Sequence, residues 1–393
     1  MRTSVSAAAG LVAAMLVYAC TTGENGDVPV CATIEPLREL VVVDPAIVDS
    51  QAAKNAADGE LSFRRTITTI TPPGTDPSAF AMSWLESFST VQAHGVLRTG
   101  ARPSFREKIT CPWLRRTPAN ECNADCSSCA AKTLDLSLAP FRLIAAVNRI
   151  DIEDDAPSGE GRLVYAFTQG PGDDEASIAW RATVAFEFRH PTHDGRTIGY
   201  WARRWHELSE APHDPATAAQ KLSGLFTEIR DCTVPSCSLA QIRTNEIEFD
   251  WLWEQREYKL LDHALVMVPL DKTPRREFSG TEALATYIRG NREAIRRNSH
   301  EVPTSMVAYA VSPLSALDTW TVPGVDEETR SAFARRTCDG CHMTEEAAVD
   351  VNFHISPLRK GEASLSPYLA GTAEKPGELS NRGRKQLEAL CTR

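Results

Sequence analysis

The chain has 393 residues, of which 42% are apolar and 24% are charged, and its formal net charge at neutral pH is −10. This composition excludes an intrinsically disordered chain, and the absence of a strict glycine repeat excludes a collagen-like one. The length exceeds the roughly 250–300 residues at which single cores stop growing, so more than one packed unit is expected. The acidic balance argues against a nucleic-acid partner, whose phosphate backbone favours a basic surface.

The first twenty residues predict an exported protein. Ala7–Ala19 form a run of small and apolar residues behind Arg2, which is typical of a signal peptide and too short to span a bilayer. Cys20 follows small residues, as in the lipobox of bacterial lipoproteins, although Tyr18 departs from that pattern. We therefore expect a signal peptide at residues 1–20, with Cys20 as the lipidated mature N-terminus. Residues 21–35 are expected to tether the folded part to the membrane. Ordinary secretion is the alternative.

Alternating and β-branched runs predict the strands of the main unit. The predicted strands are Leu40–Val43, Phe141–Asn148, Arg162–Thr168 and Trp180–Arg189, and Tyr258–Leu270 is a further apolar stretch. Helical periodicity and N-terminal capping signals predict the helices. These are Ser78–Gln92, Arg196–Ser209, Asp214–Arg230, Gly280–Asn298, Asp326–Thr337 and Glu378–Leu390.

The strands precede most helices without regular alternation, which favours an α+β fold over a doubly wound sheet. We expect an antiparallel-sheet-containing main domain over residues 36–315. Pro313–Pro323 is the best linker candidate. A small helical unit over residues 324–393 would follow it and bind a cofactor.

Eleven cysteines are many for a reducing compartment, and export would place them where disulfides persist. Four of them form a local cluster: Cys111, Cys122, Cys126 and Cys129. Disulfides are the expected state of this cluster, with a structural zinc site as the alternative. Cys232 and Cys237 are expected to bridge a loop. A bridge from Cys31 to Cys391 would join the two ends of the chain, although spacing alone does not fix connectivity.

The clearest chemical signal is Cys338-Asp339-Gly340-Cys341-His342, a C-x-x-C-H sequence. This spacing is the attachment signature of c-type haem. Two thiols one helical turn apart can each form a thioether with a vinyl group, and the next histidine then lies under the iron as its axial ligand. We therefore assign Cys338 and Cys341 as covalent haem attachment residues and His342 as the proximal iron ligand. A short disulfide between the two cysteines is the alternative.

The second axial ligand is less clearly marked. Met343 is the last methionine, and it is too close to His342 to reach the opposite haem face. His354 is the only histidine downstream of His342, so it is the candidate distal ligand. A structural role for His354, an upstream ligand and an open distal position remain alternatives. The upstream candidates are Met267, Met306 and His300.

The C-x-x-C-H, together with Phe353-His354-Ile355-Ser356, resembles the tail of an uncharacterised family of exported bacterial proteins with a cytochrome c-like domain. Two upstream stretches, at residues 146–151 and 241–246, resemble that family too. The resemblance covers roughly residues 140–391 and implies one covalent haem. It implies no particular reaction.

The leading hypothesis is an exported, lipid-anchored protein of the cell envelope with a single haem c. It would exchange electrons with an unidentified redox partner or sense a ligand at the haem, and the sequence favours such a carrier or binding role over an enzymatic one without deciding between them. One alternative is a haem-free, disulfide-rich lipoprotein with a structural or binding role. The other is a haem-dependent oxidase or oxygenase with an open distal site. Trp201, Trp205 and His206 are expected in the core or in a wall facing the haem.

Overall fold

A computed structural model of the chain describes residues 33–152, 158–210, 214–233, 238–312, 319–345 and 353–391, together with the backbone of residues 16–17. Apart from Leu16 and Val17, the predicted signal peptide lies outside the described residues, as do its Cys20 and most of the tether. Cys31, Cys237 and most of the predicted linker lie outside them too. No helix in the described ranges is long and apolar enough to cross a membrane.

The fold is mixed α and β, with one large antiparallel sheet. The strands are β1 (Leu16–Val17), β2 (Thr33–Ile34), β3 (Val41–Val42), β4 (Gln92–His94), β5 (Leu97–Thr99), β6 (Phe141–Arg149), β7 (Glu160–Thr168), β8 (Ala179–Arg189), β9 (Leu239–Glu246), β10 (Glu254–Leu261), β11 (Ala264–Val268) and β12 (Ala310–Val311). Eight of them form the sheet, in the order β11-β10-β9-β8-β7-β6-β3, and β12 also pairs with β10. The four predicted strands are all present, and the apolar stretch Tyr258–Leu270 contains β11 and part of β10. β9 and β12 are additions to the predicted sheet.

The helices flank this sheet and mostly follow the predicted boundaries. They are α1 (Pro36–Glu39), α2 (Pro45–Val48), α3 (Phe63–Ile70), α4 (Pro77–Ser89), α5 (Cys111–Arg116), α6 (Ile198–Glu210), α7 (Pro215–Ile229), α8 (Glu282–Gly290), α9 (Arg292–Arg296), α10 (Glu327–Ala334), α11 (Pro367–Ala370) and α12 (Glu378–Leu390). Asp214 and Asp326 cap α7 and α10 through their side chains, as their positions predicted. The predicted helix at residues 280–298 is divided into α8 and α9 at Asn291.

One face of the sheet packs on an aromatic core. Phe63 stacks on Phe141 with ring centroids 3.8 Å apart, and the rings of Trp84 and Phe186 lie 6.5 and 5.9 Å from that of Phe63. All four side chains are buried. Because aromatic side chains bury large apolar areas, this cluster supplies much of the hydrophobic stabilisation of the main unit.

The opposite face of the sheet carries a ladder of ion pairs that crosses neighbouring strands. Arg162 on β7 pairs with Glu187 on β8 at 3.3 Å. Glu187 also pairs with Arg243 on β9 at 3.3 Å, and Arg243 pairs with Glu257 on β10 at 3.0 Å. Both glutamates are buried, so each charge depends on its partners to offset desolvation.

The C-terminal segment packs on this second face and shares its apolar contacts with the rest of the chain. Leu379 and Leu387 of α12 lie in one cluster with Val41 and Val147. Trp320 and Phe333 lie in a second cluster, which is formed with the side chains of α8 and α9. In the described ranges, the apolar side chains of residues 319–391 therefore pack against several separate parts of the main unit.

The local cysteine cluster consists of two disulfides, Cys111–Cys126 and Cys122–Cys129. The expectation of disulfides is confirmed here, and the zinc alternative does not apply because all four sulfurs are in disulfide bonds. Cys232 and Cys391 are also disulfide-bonded. Their expected partners, Cys237 and Cys31, lie outside the described residues.

The buried His190 predicts that the free energy of unfolding depends on pH in the acidic range. Its Nδ1 lies 2.6 Å from the Ser158 carbonyl oxygen, and the Trp205 indole N–H donates to its Nε2 at 3.2 Å. Burial lowers the pKa of His190 from 6.5 to about 4. The unfolded chain therefore binds one more proton than the folded chain between these pH values. We expect the free energy of unfolding to fall by up to about 3 kcal/mol from this residue as the pH is lowered through that window.

Urea titrations at pH 7, 5.5 and 4 measure this effect, with His190→Gln expected to show a shallower loss of stability than the wild type. His206 is the internal comparison because its bond to the buried Glu39, 2.9 Å long, raises its pKa. Stability from His206 is present below pH 6.5 and is lost as the pH rises through the raised pKa. Equal slopes for the wild type and His190→Gln between pH 4 and 6.5 would contradict the assignment.

Candidate functional site

The C-x-x-C-H sequence forms a short helical turn directly after α10. The Cys341 N–H donates to the Thr337 carbonyl at 3.0 Å, and the Gly340 N–H donates to the Thr337 hydroxyl at 3.1 Å. Gly340 lies against the end of α10, where an added Cβ would be 2.0 Å from the carbonyl oxygen of Ala334. The motif therefore requires glycine at this position on packing grounds.

The side chain of Asp339 holds the turn in place through two hydrogen bonds to residues outside the motif. Its side chain is buried and accepts bonds from Arg276 at 2.9 Å and from the Trp320 indole N–H at 3.2 Å. Burial raises the pKa of Asp339, and the Arg276 guanidinium opposes that rise. The two residues between the cysteines are thus structural, and both cysteines are fixed to a rigid turn.

Cys338 and Cys341 remain thiols and are not bridged to each other. Every other cysteine in the described ranges is disulfide-bonded. Cys338 is half-buried, and its N–H donates to the Thr273 hydroxyl at 3.0 Å. Burial raises the pKa of the Cys338 thiol to about 12, against the attraction of Arg243. Cys338 is therefore protonated at neutral pH and is not activated as a nucleophile.

His342 lies over the second face of the sheet. Asn245 on β9 has its Nδ2 3.4 Å from His342 Nδ1. The buried Trp253 donates its indole N–H to the Asn245 Oδ1, and its ring centroid lies 5.7 Å from that of His342. Polar partners on one ring nitrogen are typical of metal-binding histidines, because they fix the orientation of the ring.

His354 lies beside His342 and is held by the segment that follows it. Its Nδ1 is 3.0 Å from the Ser366 hydroxyl, and its Nε2 is 3.5 Å from the Cys341 Sγ. The ring centroids of His354 and His342 are 4.4 Å apart, and those of His354 and Tyr368 are 4.7 Å apart. Burial and nearby positive charge lower the pKa of His354 well below 6.5. His354 is therefore neutral, as a metal ligand must be.

The structure thus brings Cys341, His342 and His354 together, with Cys338 one helical turn away. These donors do not converge on a single ion. In the described part of the chain, the one trio of candidate ligand atoms within 4.8 Å of one another consists of Cys122, Cys126 and Cys129, whose sulfurs are in disulfides.

The two thiols and His342 have the number and the sequence spacing that covalent haem attachment requires. The imidazoles of His342 and His354 are too close together for both to bind one haem iron unless one of them moves. A metal–nitrogen bond is about 2 Å long, so two imidazoles on opposite sides of an iron need ring centroids about 6 Å apart. The observed separation is 4.4 Å, so His354 must move away by about 2 Å for both rings to bind.

The other candidates of the sequence analysis lie elsewhere. Met267 packs in the aromatic core, and Met306 lies in the cluster of α8 to α10. His300 is buried near Phe333, with ring centroids 6.1 Å apart. Trp201 and Trp205 are in the main core, and His206 bonds to Glu39. The core interpretation is confirmed for Trp201 and Trp205, whereas His206 is half-buried outside the core.

The sequence analysis missed Asn245, Trp253 and Ser366, which hold the two histidines. Asn245 lies in a stretch that was singled out only by resemblance, and no spacing rule joins it to a histidine about a hundred residues later. The polar residues of β9 could have indicated a strand facing a site. Neither a family model, nor a curated protein, nor a solved structure matches the chain.

Proposed function

We propose that the protein is an exported monohaem protein of the c type that exchanges electrons with a redox partner. The observation that carries this proposal is the state of Cys338 and Cys341. They are the two thiols of the described chain, one helical turn apart and next to two imidazoles, while the other described cysteines are in disulfides. Addition of a thiol across a vinyl group needs reduced sulfur, which both residues supply.

Four residues of the chain would bind the cofactor directly. Cys338 and Cys341 would fix it covalently, and His342 would be the proximal ligand, oriented by Asn245. His354 would be the distal ligand after moving away from His342 by the distance given above. A bound haem supplies reversible one-electron exchange at its iron. The half-buried position of the thiols and the buried Trp253 beside His342 would shield the iron from water.

The haem-binding part would be the segment at residues 324–393, as the sequence predicts. We infer that it packs on the second face of the sheet, the one that carries the ion pairs, because His342 contacts Asn245 of β9 there. The signal sequence supports export, and Cys20 supports lipid attachment to the membrane of the cell envelope. The acidic composition supports a protein partner rather than a nucleic acid.

Carbon monoxide tests the role of His354. With His354 bound to the iron, carbon monoxide leaves the absorbance spectrum of the reduced wild-type protein unchanged. In His354→Ala, the sixth position is vacant and we expect carbon monoxide to shift the main band. His263→Ala, in the exposed turn between β10 and β11, is the matched control and should behave as the wild type.

A haem with an open distal site is the second candidate function. The 4.4 Å separation of the imidazoles favours it, because His354 cannot bind the iron as it now stands. A carbon monoxide shift in the reduced wild type would support this candidate, together with ligand sensing or oxygen chemistry. It would exclude His354 as a permanent ligand.

A further inference from the structure

The two disulfides of the local cysteine cluster lie against each other. Cys111 is bonded to Cys126, and Cys122 is bonded to Cys129. The Sγ atoms of Cys122, Cys126 and Cys129 also lie within 4.8 Å of one another, so the two bridges are in close contact. Bridges that only close two separate loops need no such contact. The fold therefore collects four sulfur atoms in one place.

This arrangement is close to that of a zinc site with four cysteine ligands. Thiolates around a tetrahedral zinc ion lie about 3.8 Å apart, because each Zn–S bond is about 2.3 Å long. Three of the sulfurs are already within 4.8 Å of one another, and the Cys111 sulfur is bonded to that of Cys126. The sequence intervals agree, since zinc ligands commonly come in pairs separated by two to four residues. Three residues separate Cys122 from Cys126, and two separate Cys126 from Cys129.

Contacts that involve no sulfur close the loop at its base. Asn120 is fully buried, and its side-chain amide donates to the carbonyl oxygens of Leu114 at 2.9 Å and Thr133 at 2.7 Å. Its Oδ1 accepts from the Thr133 N–H at 3.1 Å. The Ala130 N–H donates to the Asn120 carbonyl oxygen at 2.7 Å. These bonds are independent of the disulfides, so the ends of the loop stay together when the sulfurs are reduced.

The interior of the loop is held in the same way. The Asn123 N–H donates to the Ser128 carbonyl oxygen at 3.0 Å, and the Asn123 Oδ1 accepts from the Ser128 N–H at 3.1 Å. The Cys126 N–H donates to the Asn123 carbonyl oxygen at 3.1 Å. Arg106 donates to the Cys126 carbonyl oxygen at 2.5 Å, which places a positive charge beside the sulfurs. That charge would offset part of the negative charge of a zinc ion bound by four thiolates.

We propose that Cys111, Cys122, Cys126 and Cys129 form a redox-dependent zinc site, which is closed by the two disulfides and opened when a dithiol reduces them. Each disulfide takes two electrons and two protons from one dithiol, which becomes a disulfide itself. The four thiols then bind Zn²⁺ as thiolates and release four protons to water. The inference does not rest on the proposed function, because the C-x-x-C-H cysteines take no part in it.

Zinc uptake by the full-length chain tests the site. Every protein in the experiment carries Cys338→Ser with Cys341→Ser, so that zinc bound at the C-x-x-C-H is not counted, and this chain is the reference. Each protein is reduced with dithiothreitol, desalted without oxygen and given equimolar Zn²⁺, and the metal that survives a second desalting is measured. We expect one zinc ion per reference chain. Adding Cys122→Ser with Cys129→Ser should lower this at least about tenfold, because two of four ligands are lost.

Cys232→Ser is the matched control, because Cys232 belongs to a disulfide outside the cluster. It should bind as much zinc as the reference chain. The reference chain that has not been reduced should bind none, and oxidised glutathione should release the zinc from the reduced chain. Zinc bound by the chain before reduction would contradict the redox dependence.

Cobalt reads the ligands without a substitution in the cluster and decides the proposal even if the serine variants do not fold. Co²⁺ accepts the same thiolate ligands as Zn²⁺, although more weakly. Four thiolates around a tetrahedral Co²⁺ give strong visible absorption and a sulfur-to-metal charge-transfer band. We expect both in the reduced reference chain, with loss of both when Zn²⁺ is added. Their absence, or equal zinc uptake with and without Cys122 and Cys129, would overturn the site.

Discussion

Replacing both motif cysteines, Cys338→Ser with Cys341→Ser, abolishes covalent haem attachment if the proposed function holds. Serine cannot form a thioether, so any haem that binds is extracted when the protein is denatured. Single variants keep one thioether and are expected to retain a reduced amount of haem. A denaturing gel stained for haem, run with protein from cells that can attach haem, measures all three variants.

The matched control removes two other cysteines. Cys122→Ser with Cys129→Ser deletes a short disulfide, with seven residues of sequence separation, outside the candidate site. Its loss affects stability, but the haem stain per chain should equal that of the wild type. Equal staining of the Cys338/Cys341 double variant and the wild type would contradict the assignment of the attachment residues.

Gly340→Ala is expected to disrupt the site through packing alone. The new Cβ would lie 2.0 Å from the Ala334 carbonyl oxygen, a backbone atom that cannot rotate away. The motif turn must then shift away from α10, which strains its bonds to Thr337. We expect a loss of at least about 2 kcal/mol in the free energy of unfolding, because overpacking a tight site costs about 1–3 kcal/mol or more. Haem attachment should fall too.

Gly224→Ala provides the comparison for that variant. Gly224 is exposed within α7, and an added Cβ there meets no atom within 4 Å. Alanine is a better helix former than glycine by about 1 kcal/mol, so this variant should be slightly more stable than the wild type. Urea titrations of both variants measure the difference. Equal stability of Gly340→Ala and the wild type would show that the turn is not closely packed on α10.

The sequence predicted the elements whose apolar pattern is regular. The strand at Ala179–Arg189 alternates clearly and differs by one residue from its predicted bounds, and helix α12 matches its predicted bounds. β9 was missed because its core-facing positions after Ile242 are Thr244 and Glu246, which are polar although buried. The strand therefore lacks the alternation of apolar and polar residues on which strand recognition relies.

The candidate site was predictable only where its residues are close together in the sequence. Cys338, Cys341 and His342 are close in sequence, so one turn of helix fixes their relation. His354 was selected by elimination, and its contact with His342 depends on how residues 353–366 pack. Asn245 comes from β9. Only tertiary structure brings it to the motif, so no local pattern marks it.

The mass of the intact wild-type protein, recovered from the envelope of cells that attach haem, tests the central claim most directly. The account predicts that the wild type is heavier than the Cys338→Ser with Cys341→Ser variant by one haem plus the mass change of the two substitutions, a comparison in which any lipid on Cys20 cancels, and that the haem absorbance of the wild type survives denaturation. A wild-type chain that differs from the variant only by the mass of the two substitutions, with Cys338 and Cys341 as thiols or as a disulfide, would contradict it.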